Sequence, residues 1–455
     1  MPVVVAIGAY FGLVITPLLI ICAIVVVIIL VALNKISNWE VYLYLVGISL
    51  GLIWQTTMLG VDVVGSDIHV EYYFAQFNTL HPWDVSKLDS SNTSIVIGLI
   101  APWISTLFHI DMIWVFKIIL PMFLACVPLV LFAAFKKMFG DKRAFFATIF
   151  FMIIPMFSIE SAQIAKTMVA ELFFALMVYC IVSDWKWGYK LVGISSFLIM
   201  QILTHYTIGV LGICFLLGVL IFRIVTKPIR WKFLLNTKVP ILVLALCLLI
   251  SAGTFYKYYS YAGTGTQLRA LQWIASDYLP DIVNAPPLAT ETPIENKPIV
   301  IQETPINSNS SVPNTKAPGI QVPISHSSTE PVISQSLIER LSTNPTMVKI
   351  GIGLDFFEVP LSGKIFRVIQ LLTELLMIIG VGRLVFVYKR YNSTTEFIGL
   401  VGSSGILLIV CILVVGFSSV INMSRFFHIS LFFLSPMFIL GIEQVCSWVK
   451  LDNYI

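Results

Sequence analysis

Apolar runs of roughly twenty residues recur along nearly the whole chain, and each is long enough to cross the hydrocarbon core of a bilayer as a helix. Spans are expected near residues 4–33, 40–58, 112–134, 144–157, 168–183, 189–203, 207–224, 239–255, 368–388, 397–417 and 427–447. Helices are the expected form, because backbone exposed to lipid must satisfy its own hydrogen bonds. The fold class read from this pattern is an all-α polytopic membrane protein with about eleven transmembrane helices. Only 11% of residues are charged, 58% are hydrophobic and mean hydropathy is +0.92, which excludes an ordinary soluble domain. The first run, Val3 to Leu33, has no basic n-region before it and exceeds a signal-peptide core. It is read as a retained span, tilted or kinked near Pro17.

Where charge is scarce, its placement carries information. Alternate connections hold Lys136, Lys137, Lys142 and Arg143, then Lys186 and Lys190, then Arg223, Lys227, Arg230, Lys232 and Lys238, then Lys389 and Arg390. The opposite short connections offer little beyond Lys87, Lys166 and Arg425. The positive-inside rule therefore places the first set in the cytoplasm, with the N-terminus and both long loops outside. All six histidines (His69, His81, His109, His205, His326, His428) then fall on or near the outer face, as do Glu160, Gln163, Lys166 and Arg425. The net charge of +4 reflects cytoplasmic-loop basic residues and gives no reason to expect nucleic acid as a partner. The seven cysteines lie in or beside apolar runs without a CxxC, so neither a disulfide framework nor a zinc site is indicated.

The chain divides into N-terminal spans (1–58), a first outer loop (59–111), a transmembrane core (112–256), a second outer loop (257–366) and C-terminal spans (367–455). In the first loop, Val70 to Leu80 is aromatic-rich and suits an amphipathic helix on the membrane surface, broken by His81-Pro82-Trp83-Asp84. In the second, residues 285–345 are dominated by Pro, Ser, Thr and Asn and lack the apolar content to fold, so a flexible tether is expected there. Asn92, Asn309 and Asn422 begin N-x-S/T sequons on the expected outer face.

The polar residues at that face form several constellations, each with a plainer alternative. In Gly65-Ser66-Asp67-Ile68-His69-Val70-Glu71, a helix would put Asp67 and Glu71 on one face. A carboxylate at the lipid–water edge beside His69 is placed to act as a general base on an acceptor hydroxyl; a solvated loop acid or helix cap fits the spacing equally. Glu160, Gln163 and Lys166, three apart in SIESAQIAK, would line one side of a polar cavity with Lys166 facing a phosphate, or form a local Glu–Lys arrangement. Glu171 lies deeper in its span, where a bare carboxylate is costly, so it is either paired or functional. His205-Tyr206 sits where two spans turn, as a substrate contact or a satisfied structural pair. Arg425 and His428 stand at the outer end of the last span, and arginine's planar fork suits a phosphate. P-loop, GxSxG, HExxH and dinucleotide-binding patterns are missing. Mid-membrane Asp pairs expected of an intramembrane protease or proton-driven carrier are missing too.

The stretches KISNWEVYLYLVGISLG, GSDIHVEYYFA, VFKIILPMFLACVPLVLF, ESAQIAKTMVAELFFAL, LTHYT and SRFFHISLFFLSP resemble an archaeal-type family of polytopic membrane proteins of unknown function, related to GT-C glycosyltransferases. The resemblance covers nearly the whole chain except the Pro/Ser/Thr-rich insert. It implies a GT-C-like bundle with two large outer-face loops. It also implies transfer of a sugar from a polyprenyl-phosphate or -pyrophosphate carrier to a protein, lipid or glycan acceptor on the extracytoplasmic side of the cell membrane. The essential first-loop acid of GT-C enzymes, often part of an Asp-Glu pair, is matched by Asp67 under that resemblance. Ile68 replaces the neighbouring acid, with His69 and Glu71 following, which leaves a divalent cation (Mg or Mn) open. The implied reaction is an inverting displacement with Asp67 as base and Arg425, with Lys166, on the departing phosphate; His69, Glu71, Glu160, Gln163, His205, Tyr206 and His428 would complete the substrate site. The competing classes are a transporter or lipid flippase, which calls for polar groups near the bilayer midplane, and a structural assembly subunit.

Overall fold

The computed structural model describes residues 1–13, 15–85, 91–226, 237–261, 356–387, 391–413 and 423–449, and among them every regular element is helical. The insert 285–345, His326 and the sequons at Asn309 and Asn422 lie outside the described residues. Seven helices are long and apolar enough to cross a membrane, or eight if one bent pair is counted as a span. Large apolar side chains on several of them, Ile21, Leu217, Leu249, Leu372 and Ile378 among them, face outward, as a lipid-facing surface requires.

In chain order the helices are α1 (Pro2–Tyr10), α2 (Ile15–Ala32), α3 (Asn38–Thr57), α4 (Asp67–Leu80), α5 (Ala101–Phe108), α6 (Met112–Phe139), α7 (Asp141–Ile153), α8 (Ala165–Val182), α9 (Trp187–Thr204), α10 (Tyr206–Thr226), α11 (Ile241–Tyr261), α12 (Leu361–Phe386), α13 (Thr395–Leu413) and α14 (Met423–Trp448). Of the eleven expected spans, four are not among these seven helices. Helices α3 and α9 have 20 and 18 residues, but residues such as Glu40, Gln55, Lys190 and Gln201 dilute their apolarity. The apolar part of α13, Thr395–Cys411, is one of the shorter apolar helices. The fourth, expected over 144–157, is the bent pair: α7 ends at Ile153, and a π turn (Met156–Glu160) and a 3-10 turn (Ser161–Gln163) leave at 59°. Pro155 explains the bend. It lacks an N–H and holds Ile154 in extended backbone (φ −69°, ψ 128°), so the helix stops there.

The first run also departs from expectation. It is not one span kinked at Pro17 but two helices turning through Gly12, whose φ of +68° favours glycine. Pro17 sits in the first turn of α2, where its missing N–H costs nothing. At nine residues, α1 is too short to span.

Close packing follows from small residues where helices cross. A Cβ on Gly380 would fall 1.8 Å from the Met437 carbonyl oxygen, and one on Gly441 would fall 1.9 Å from that of Leu376. Helices α12 and α14 therefore touch backbone to backbone, as small residues allow in a bilayer. The same face of α12 carries Met377 and Leu384, and nearer its start Arg367, Gln370 and Glu374. Gln370 donates to Glu374 at 3.1 Å. Glu374 lies in the middle of this 26-residue helix, away from the end where the expected outer-face residues gather.

The two ends of the bundle differ in chemistry. At the end where α10 finishes and α13 begins, Arg223 pairs with Glu396, whose carboxylate also accepts the Lys238 and Val239 N–H groups. Nearby on that end, Glu443 accepts from Arg143 at 2.5 Å and faces Arg383 at 3.2 Å. These basic residues are structural staples. The opposite end, where α8, α10 and α14 begin, carries the candidate site.

Candidate functional site

The site is built from the N-termini of α4, α8, α10 and α14. Gly65 admits α4 into it. Its φ is +127°, and a Cβ there would lie 2.7 Å from Gln163 Cβ, so glycine is required on both counts. Asp67 opens α4 at the positive end of its dipole, and Glu71 follows one turn later on the same side.

The two carboxylates meet different fates. Asp67 is half-exposed, and its Oδ2 accepts from Arg425 of α14 at 3.1 Å. Glu71 is fully buried; its Oε2 accepts the Ala165 N–H at 2.7 Å. Ala165 is the first residue of α8, and Ile164 before it has no side chain able to cap. Glu71 thus caps α8 from another helix, satisfying an orphan donor and meeting the helix dipole. Lys166 Nζ lies 3.2 Å from its Oε1, an ion pair rather than an aligned hydrogen bond. Burial pushes the Glu71 carboxyl up from the ordinary glutamate range, against the pull of Lys166 and the Ala165 N–H.

A cavity of about 270 Å³ opens between these elements, lined by Asp67, Val70, Ser91, Lys166, His205, Tyr206 and Arg425. His205 ends α9, and its Nδ1 accepts the Thr207 N–H at 3.2 Å, capping α10. That bond places the ring proton on Nε2, which is buried with no partner. Burial, reinforced by Lys166 and Arg425, holds this imidazole well below its usual range, so it is neutral. The Tyr206 ring stacks on it at 5.4 Å.

Beneath Arg425 lies a second, water-sized chamber of about 10 Å³, walled in part by Glu160, Thr167, Glu171, Arg425 and His428. Glu171 is paired, as one of its two readings required. It accepts from Ser161 at 2.6 Å and meets His428 Nε2 at 3.0 Å, tying α8 to α14.

The structure therefore brings Asp67, Lys166, His205, Tyr206 and Arg425 to one cavity, and Glu160 and His428 to its neighbour. Glu71 stands behind Lys166 and does not line the cavity. His69 is exposed and lines neither chamber, because two residues along a helix turn a side chain to the far side. Gln163 packs under Gly65 instead of lining a cavity with Glu160 and Lys166. Asn92 is 1% exposed and its Nδ2 donates to the Asp84 carbonyl at 3.2 Å, which removes it as a glycan acceptor in the folded chain.

Sequence reasoning missed Ser91 and Thr167, both ordinary polar residues in their local strings. It also missed Lys117, buried in α6 and donating to the Leu59 and Gly60 carbonyls just beyond α3 at 3.3 and 2.8 Å. A lysine within an apolar run was the available signal. Among the described residues, no group of three His, Cys, Asp or Glu side chains could share a metal ion.

Residues 332–452 match the model of a family described as "Predicted membrane protein (DUF2206)". The matched segment contains α12, α13, Arg425 and His428; Asp67, Lys166 and His205 lie outside it. No curated protein and no solved structure matches the chain.

Proposed function

We propose that the chain is a membrane glycosyltransferase that moves a sugar from a polyprenyl-phosphate carrier to an acceptor hydroxyl at the extracytoplasmic face. The observation that carries this reading is one cavity, at one end of an apolar bundle, holding a half-exposed carboxylate, a guanidinium and an ammonium. Asp67 takes the acceptor proton while the acceptor oxygen attacks the anomeric carbon from the face opposite the phosphate. The carbon–oxygen bond to phosphate breaks, and its electrons leave on a phosphate met by Arg425, with the Glu71-paired Lys166 in the same cavity wall. One displacement inverts the anomeric centre. An isoprenoid chain would lie along the lipid-facing surface, which gives a reason for placing the site at a bilayer edge.

A second reading, transport or flipping of a lipid, is favoured by the polar stripe Arg367–Gln370–Glu374 within α12. Incubating purified protein with a panel of radiolabelled polyprenyl-phosphate sugars and mixed acceptors separates the two. Product formation supports transfer. Protein-dependent lipid movement across liposomes without any product supports transport and refutes the transferase.

A further inference from the structure

The two cations of the cavity are not equally available to a ligand. Lys166 is matched to Glu71, and Glu71 is held in place by the Ala165 N–H in a site with no exposure. Pulling them apart would strand a buried charge. Arg425 is matched to Asp67 by a single 3.1 Å contact, and the Asp67 side chain is 51% exposed. Solvent takes up a carboxylate released there, so that pair exchanges readily. The cavity thus frees one positive charge, and its wall includes His205, whose buried Nε2–H, a neutral donor, has no partner.

Resting on the transferase reading, we propose that the site takes a singly charged phosphodiester by exchange: the ligand's phosphoryl oxygens replace Asp67 on Arg425 and accept from His205, and Asp67 is released as the free base. Donor binding then uncovers the base, so the acceptor hydroxyl is activated only when a sugar is in place. A diphosphate brings a second charge for which the described residues release no second cation, and it is the poorer ligand.

The test is binding of two probes, a farnesyl methyl phosphodiester and the diphosphate esterified with farnesyl at one end and methyl at the other, to the full chain in nanodiscs. Asp67→Asn and Asp67→Ala, which remove the competitor for Arg425, should bind the diester about fivefold tighter than wild type, the scale of an exposed ion pair. Arg425→Gln should lose at least about tenfold, and adding Asp67→Asn to it should restore nothing. His205→Phe should weaken the diester several-fold. Unchanged or weaker diester binding by both Asp67 variants, or tighter binding of the diphosphate by wild type, overturns the exchange. The expected binding pattern in a protein that transfers no sugar would uphold the exchange and refute the transferase reading.

Discussion

At the scale of single residues, the site rests on Glu71 more than on any residue that touches the cavity. It caps α8 and holds Lys166, so Glu71→Ala leaves an uncompensated buried ammonium and an open helix end. The expected loss is about 3–5 kcal/mol, read as a lowered melting temperature in detergent. His205 sets a pH dependence. Its folded form binds a proton less readily than the unfolded chain, so its contribution is present above the unfolded value and lost as pH falls below about 6.5. Melting scans should show stability declining through that range, with a shallower decline in His205→Asn. Glu71 works oppositely: its raised carboxyl makes the folded state the better proton binder, so its own contribution weakens as pH rises above the ordinary glutamate range. Charge scarcity made Asp67, Glu71, Lys166 and Arg425 legible in the sequence. Their pairing was not, because Asp67 and Arg425 lie 358 residues apart along the chain and Glu71 and Lys166 stand on different helices. His69 was drawn in by sequence nearness, which helix geometry then undoes.

At the scale of elements, backbone contacts and breaks position what the side chains use. Gly380→Ala puts a methyl group into the Met437 carbonyl and should cost about 1–3 kcal/mol or shift α12 against α14. Gly382→Ala, with nothing within 4 Å, should be neutral or slightly stabilising. Thermal melts of the two variants check the contrast, and equal effects would refute close packing at Gly380. The expected helix α4 was readable from its aromatic content and the His81-Pro82 break, and it spans Asp67–Leu80. The bend at Pro155 and the turn at Gly12 were not placed. Hydropathy averages over a window, whereas a break depends on single residues whose neighbours decide whether the chain can turn there.

At the scale of the whole molecule, the repeated apolar runs made the helical membrane class legible, while the number of spans was not, since α3 and α9 are helices of spanning length with diluted apolarity. The basic residues at the end opposite the site motivate an orientation that impermeant reagents can check. A single cysteine at Asp84 should react with a membrane-impermeant maleimide in intact cells, and one at Lys186 only after permeabilisation; the reverse pattern would turn the site inward. The most direct test of the central claim is the initial rate of sugar transfer from a polyprenyl-phosphate donor by Asp67→Asn beside wild type. A fall of at least about a hundredfold, in a variant that still binds the lipid phosphodiester, is the expected result for loss of a general base. A wild-type rate in that variant would contradict the assignment of Asp67 and with it the mechanism.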